Sequence, residues 1–374
     1  MAGSERTDER PRSSLPRPAD EKRGKPHALQ DLAESKPSMG RGKLSDAVVA
    51  SPAVLRAFFA DRPRDVPQAA RMSSAGVLPR LLLVDGHAYA YRAFHAIRSM
   101  NAPDGRPTNA IFGFVKMLLK MEATLRPTHR LVVWDAGLAA DRVAALPGYK
   151  ADRPPTPDAL VEQFPQLQAW LAAAGWASLQ EDGTEADDWL ATYARRAEAA
   201  GWQSIIASSD KDFMQLVNDR VGLFNPNDKS DKIWAATDVE TKTGVRPDQV
   251  VDWLSLVGDS VDNIPGVSGV GPKTATDLLK RFGDIETLLA RSHELKSESQ
   301  RNSVQASADA LRRNQMMIRL RDQLAGGPAL EDLAPRAADR PVLREHYRRW
   351  NFRSLLAELG EEPVPGTETQ GDLF

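Results

Sequence analysis

Cysteine is missing from all 374 residues. That removes disulfides and thiolate metal sites and suits a reducing compartment. Histidine is scarce, six in all, and scattered away from the chain's two densest acidic clusters, which argues against an imidazole-rich centre there. Long apolar runs are absent too. None approaches the roughly 20 residues a membrane span needs, and the opening Met1-Ala2-Gly3-Ser4-Glu5-Arg6 has no apolar leader segment. Nor is there a strong charge of one sign: the net charge is −2, so any polyanion must be held by local basic patches. What remains is 41% apolar residues, ample for a core, in a length that fits one large α/β unit with appendages or two small domains.

Carboxylates are what the chain has in unusual arrangement. Glu185, Asp187 and Asp188 open an amphipathic helix whose inner face carries Leu190, Tyr193 and Ala194, and Asp210 and Asp212 follow the apolar strand 203–207. Such clusters would meet at the carboxyl edge of a sheet. Repulsion between carboxylates about 4 Å apart costs on the order of 1 kcal/mol per pair in water and several-fold more in a cleft. Hard divalent ions with oxygen ligands, Mg²⁺ or Mn²⁺, are the natural counter-charge. Glu185 and Asp188, at i and i+3, share a helix face, and Asp187 points elsewhere. The bland reading is that acidic residues in a first turn answer the helix dipole.

In chain order, residues 1–78 mix charged residues, Ser and Pro with few large apolar groups, and are expected to be a disordered extension. Met72 is a candidate start. Order is expected from the strand 80–85, which ends in Asp85-Gly86. A helix over 110–125 and a second strand, 130–134, ending in Asp135 repeat the design. In open α/β sheets the working site lies beyond the carboxyl ends of the strands, so Asp85, Asp135 and Asp210 should converge. A strand-end Asp is as often a helix cap, and it is the repetition that favours a site. The segment 137–157, with Arg142, Tyr149, Lys150 and Arg153, reads as a mobile stretch over the acidic cleft.

After a fourth strand at 221–225, residues 247–275 place Asp259 and Asp262 beside a helix end, followed by a glycine-rich hairpin. Gly266, Gly269 and Gly271 there precede a helix starting near Lys273 and Thr274, so bare backbone N–H groups could hold a phosphate. A basic helix over 303–321 and a closing helical segment over 342–359, with Tyr347, Trp350, Phe352 and Leu355 as core, complete the expected order. The expected domains are an α/β core at 79–240, a helical subdomain at 241–360 and a flexible tail at 361–374.

At this point the motifs are similar to a known family. Val84-Asp85-Gly86, Tyr91-Arg92-Ala93-Phe94-His95, Val133-Trp134-Asp135, Gly148-Tyr149-Lys150-Ala151-Asp152-Arg153, Glu185-Ala186-Asp187-Asp188, Asp210-Lys211-Asp212, Gly258-Asp259-Ser260-Val261-Asp262 and 266–275 resemble the 5′-nuclease domain of bacterial DNA polymerase I, a relative of the flap endonucleases. The resemblance covers about residues 80–360. It implies a mainly parallel sheet flanked by helices (a PIN-like core) with a helix-three-turn-helix subdomain. The implied activity is a metal-dependent 5′-3′ exonuclease or flap endonuclease acting on ends, nicks and 5′ flaps of DNA, and on RNA primers, in replication and repair. It further implies two divalent ions held among Asp85, Asp135, Glu185, Asp187, Asp188, Asp210, Asp212, Asp259 and Asp262. Lys150 and Arg153 would be catalytic cations, DNA contacts would come from Arg92, Arg142, Tyr149, Gly266, Gly269, Gly271, Lys273 and Thr274, and K⁺ would sit at the hairpin carbonyls. Ser209 stands where the family often has Gly. The expected molecule is a cytoplasmic, nucleoid-associated monomer acting without an attached polymerase.

The ending Gln370-Gly371-Asp372-Leu373-Phe374 resembles peptides that dock into the bacterial sliding clamp, making Gln370, Leu373 and Phe374 candidate clamp contacts. Two rivals remain. A PIN-type ribonuclease needs fewer carboxylates and lacks the 266–275 segment, and a non-catalytic branched-DNA binding protein would have lost ligands.

Overall fold

A computed structural model describes residues 78–360 apart from Asn227 and Lys229. The expected N-terminal extension, with Met72, and the tail with Gln370, Leu373 and Phe374 lie outside the described residues.

The sheet is built on β1 (Arg80–Asp85), whose residues Leu81, Leu82, Leu83 and Val84 are fully buried. A strand apolar on both sides belongs in the middle of a parallel sheet covered on both faces. It is flanked by β2 (His129–Trp134) and β4 (Gln203–Ala207), with β3 (Ala177–Gln180) outside β2, and β5 (Val221–Phe224) then β6 (Ile233–Trp234) outside β4. All pairings are parallel except β5 with β6. Strand order reverses between β1 and β4, so their carboxyl ends flank the crevice where such sheets bind ligands.

Alternation sorts the two cores. Leu81, Leu83, Leu131 and Val133 face one cluster, built with α5 (Ala186–Ala199) and the helices that follow the sheet. Leu82, Val84, Val132 and Trp134 face the other. That second cluster takes α1 (Gly86–Ala96), α2 (Asn109–Leu125) and α4 (Phe164–Ala173), α3 (Ala140–Ala145) lying before α4 in the chain. Gly113 lets α1 and α2 approach closely, since a Cβ there would meet the Ala93 Cβ at 2.8 Å.

Past the sheet come α6 (Ala236–Thr243), α7 (Val250–Val257), the hairpin β7 (Gly258–Asp259) and β8 (Ile264–Pro265), α8 (Pro272–Phe282), α9 (Ile285–Ala290), α10 (Glu298–Ala306) and α11 (Ala308–Ile318). Two expectations need correction here. The basic helix of 303–321 is two helices, and the closing segment is α12 (Arg340–Trp350) and α13 (Arg353–Glu358), broken at Asn351 with φ of 58°. This last pair does not join the helical subdomain expected at 241–360. Leu343, Tyr347, Trp350, Phe352 and Leu355 are buried in the second cluster of the sheet domain, and Trp170 Nε1 donates to Tyr347 Oη at 2.9 Å. Their apolar faces find the uncovered side of α4 and α2, which offers more burial than the small helical unit does.

Candidate active site

Each predicted carboxylate can be placed by the element that delivers it. Asp85 ends β1 and caps α1: its Oδ1 accepts from the Ala88 N–H at 3.0 Å, and Ser208 Oγ donates to its Oδ2 at 3.1 Å. The cap reading and the site reading of Asp85 are thus both realised. Ser208, just past β4, also accepts from the Asp210 N–H at 3.1 Å. Its hydroxyl bolts together the two strand ends at the point where strand order reverses.

Asp135 follows β2 and receives the Ala186 N–H, from the first turn of α5, at 2.7 Å. The Asp135 N–H donates to His87 Nδ1 at 3.0 Å. Burial holds the His87 imidazole below its ordinary range, in keeping with a neutral ring accepting through Nδ1. Burial, then the charges of Asp187 and Asp135, push the Asp85 carboxyl up to about 7. Carboxylates from β2 and α5 thus lie close to the one that ends β1, with only Asp135 substantially wetted, at 29% side-chain exposure.

Glu185 and Asp188 do share a helix face, but that face turns to cations. Glu185 Oε2 takes Lys150 Nζ at 2.6 Å, Arg142 Nη1 at 3.2 Å and the Tyr149 hydroxyl at 3.1 Å. Asp188, fully buried, is gripped by both terminal nitrogens of Arg142 at 3.1 and 2.8 Å and accepts the Arg321 N–H at 2.9 Å. Burial alone would lower the Lys150 and Arg142 pKa values, yet Glu185, joined by Asp262 for Lys150 and by Asp188 for Arg142, raises both. Asp187, expected to point away, is the member of its turn that reaches Asp85.

Much of the basic side of the segment 137–157 is packed inward. Arg142, Tyr149 and Lys150 are buried, the Lys150 N–H donates to the Asp262 carbonyl at 3.1 Å, and Arg153 is ion-paired with Asp262. Glu185, Asp188 and Asp262 are the counter-charges within reach, and the basic residues turn inward to them. Asp259 likewise faces Lys211 Nζ at 3.3 Å, and Asp210 Oδ1 caps the 3₁₀ turn after β4 by accepting the Asp212 N–H at 3.0 Å. Among the described residues no three carboxylate or imidazole groups form a ready cage for an ion. Interleaved cations hold the acids apart. The donor set nonetheless fits a hard divalent ion: carboxylate oxygens alone, at one sheet edge, with mutual repulsion already expressed at Asp85.

The glycine hairpin divides by role. A Cβ on Gly266 would collide with the Val257 carbonyl and one on Gly258 with the Gly266 backbone, so these two serve the crossing of β7 and β8. Gly269, with φ of +77°, and Gly271 face open space, as a backbone meant for a phosphate would. Lys273 is exposed and Thr274 half-buried at the start of α8, and Arg92 is exposed on α1. Sequence reasoning missed Ser208, His87 and Lys211. The last lay inside a quoted motif, while a lone Ser carries no pattern.

Two family models match adjoining stretches of the chain: the 5′-3′ exonuclease N-terminal resolvase-like domain over residues 80–244 and the 5′-3′ exonuclease C-terminal SAM fold over 245–341. A 5′-3′ exonuclease of Aquifex aeolicus is 36% identical over 279 residues, spanning 75% of this chain and 94% of that protein. The chain belongs to the 5′-3′ exonuclease family. Its membership makes it a nuclease. The thermostable DNA polymerase I of Thermus thermophilus is 40% identical over 292 residues, 76% of this chain but 34% of that protein, so this exonuclease-family chain spans about a third of such relatives. Solved structures agree in fold. The flap endonuclease of bacteriophage T5, crystallised with DNA and metal ions, superposes with a TM-score of 0.56 at 20% identity over 75% of this chain and 96% of that one. The catalytic core of Rad2 with DNA substrate does so with a TM-score of 0.52 at 13% identity, covering 75% and 90%. Among the described residues no helix is long and apolar enough to cross a membrane.

Proposed function

We propose that this nuclease hydrolyses phosphodiester bonds at 5′ ends, nicks and 5′ flaps of DNA in replication and repair, aided by two divalent ions, Mg²⁺ or Mn²⁺. The observation that supports it most is that Asp135 and Asp187 lie near enough to the buried Asp85, at the crevice beside β1 and β4, for their charges to act on its carboxyl. Asp85, Asp135 and Asp187 would hold an ion, with Asp210, Asp212 and Asp259 nearest a second. Bound ions supply Lewis-acid stabilisation of the charge that builds on the phosphoryl oxygens.

The chain's own cations do the rest. Lys150 and Arg153 exchange Glu185 and Asp262 for the substrate's phosphate, a swap between anions of like charge. Burial beneath Tyr149 and the 148–153 turn excludes water from that exchange and strengthens it. Asp188 and Arg142 stay paired and position α5, so we assign them to support and not to ion binding. Arg92, the exposed backbone of Gly269 and Gly271, and Lys273 with Thr274 track the phosphate backbone without reading bases. We read the hairpin carbonyls as a K⁺ site, the molecule as a monomer, and the peptide 370–374 as a docking tether for the sliding clamp.

Cleavage of end-labelled 5′-flap, nicked, single-stranded and RNA–DNA duplexes, with Mg²⁺ and with chelator, tests the reading. Mg²⁺-dependent cutting of flap and nicked DNA is expected. Chelator-resistant cutting, or cutting confined to single-stranded RNA, would reject it.

A further inference from the structure

On the α1 and α2 face of the sheet domain lies a groove of about 590 Å³ floored by Tyr89, Met117, Met121 and Phe224 and rimmed by Arg92, Lys116 and Lys120. That volume is in the range of sites that bind ligands. Tyr89 is 1% exposed and contributes to the floor from beneath, its hydroxyl buried.

The chain itself supplies a fitting occupant. Lys116 Nζ is 2.9 Å from Glu358 Oε1, so the backbone passing Gly360 sets out from the groove's rim. The segment that follows, 361–374, holds Glu361, Glu362, Glu368 and Asp372, no lysine or arginine, and the apolar pair Leu373 and Phe374. Extended, it reaches up to about 45 Å, more than enough to cross the groove. Lys120 pairs at the surface with Asp231 at 2.7 Å, and such pairs exchange partners at little cost. We infer that residues 361–374 seat on this groove, with Leu373 and Phe374 on its apolar floor and the segment's carboxylates facing Lys116 and Lys120. The same two apolar side chains cannot serve this groove and an outside partner at once, so seating holds the tail in reserve.

A chain without cysteine takes paired labels cleanly. Thr124→Cys, on the exposed rim, and Thr369→Cys carry spin labels in the full chain for pulsed distance measurement. A narrow short-distance population is expected. It should be largely lost in Lys116→Glu/Lys120→Glu and in Met117→Glu, and displaced by excess synthetic peptide 361–374. The double surface variant keeps the test sound if Met117→Glu fails to fold, as circular dichroism would show. The broad distribution of a tethered coil in the otherwise unaltered chain would overturn the inference. So would a narrow population that survives the charge reversal, or one that forms only between singly labelled chains on mixing, which would make a second copy the occupant.

Discussion

Asp187 and Asp188 are neighbours with opposite fates, and the difference is which way one peptide unit turns them. Asp188 meets a guanidinium that cannot lose its proton, and the buried pair stays ionised. Removing one partner of such a pair is costly because the other charge is left buried. Arg142→Met is expected to lower stability by about 3–5 kcal/mol in denaturant unfolding; a loss under 1 kcal/mol would show the pair to be ornamental. Asp252 is the contrasting case. Its hydrogen bonds come from neutral donors, the Ile285 N–H at 3.1 Å and the Gln315 amide at 2.6 Å, and burial raises its carboxyl above the ordinary 3.8. The folded state then binds the proton more tightly than the unfolded chain. This group's contribution is full at acid pH and is lost as pH rises through the raised folded value. Asp252→Asn should therefore flatten the part of the stability decline that this residue causes as pH rises above its ordinary 3.8, and an unchanged profile would refute the assignment. The acidity of both helix positions was legible in the sequence. Their partners were not, because Arg142 and Arg321 come from distant segments that no local period connects to α5.

Among the elements, the long periodic ones were readable and the short ones were not. β1, β2 and β4 declare themselves by unbroken apolar runs ending in Asp or Ser. β3 has four residues and no β-branched one, β6 has two, and both exist through the neighbour they pair with. The hairpin of β7 and β8 shows how one string of glycines holds two purposes. Gly266→Ala forces a methyl group against the Val257 carbonyl and is expected to cost about 1–3 kcal/mol by overpacking. Gly271→Ala, with open space around it, should leave the melting temperature unchanged and weaken duplex binding instead. Equal destabilisation by the two would dissolve the distinction. Spacing alone marked all three glycines as phosphate contacts, since a packing glycine and a binding glycine look identical as letters.

At the scale of the whole molecule, the sheet presents two faces and one working edge. The first face takes α5 and the helical unit, the second takes α1, α2, α4 and the returning α12 and α13, and the edge between β1 and β4 is left to the carboxylates. The return of α12 was invisible in the sequence, where its apolar stripe fits either domain. The approach of Asp85 and Asp135 could be expected, because parallel strands that end in Asp can deliver those side chains only to one edge, whereas Asp187, expected to point elsewhere, could not be placed there from its helical position. What strand ends do not announce is the set of buried cations that now separates the acids. The proposed chemistry belongs to the edge, and not to the paired carboxylates behind it. The most direct measurement compares Asp187→Asn with Asp188→Asn for Mg²⁺-dependent cleavage of a 5′-flap duplex, alongside duplex binding and thermal unfolding of each. Asp187→Asn should fold and bind as the unaltered chain does and lose cleavage by on the order of 10²-fold or more, with Asp188→Asn losing stability first; an Asp187→Asn enzyme cutting at the unaltered rate would contradict the account.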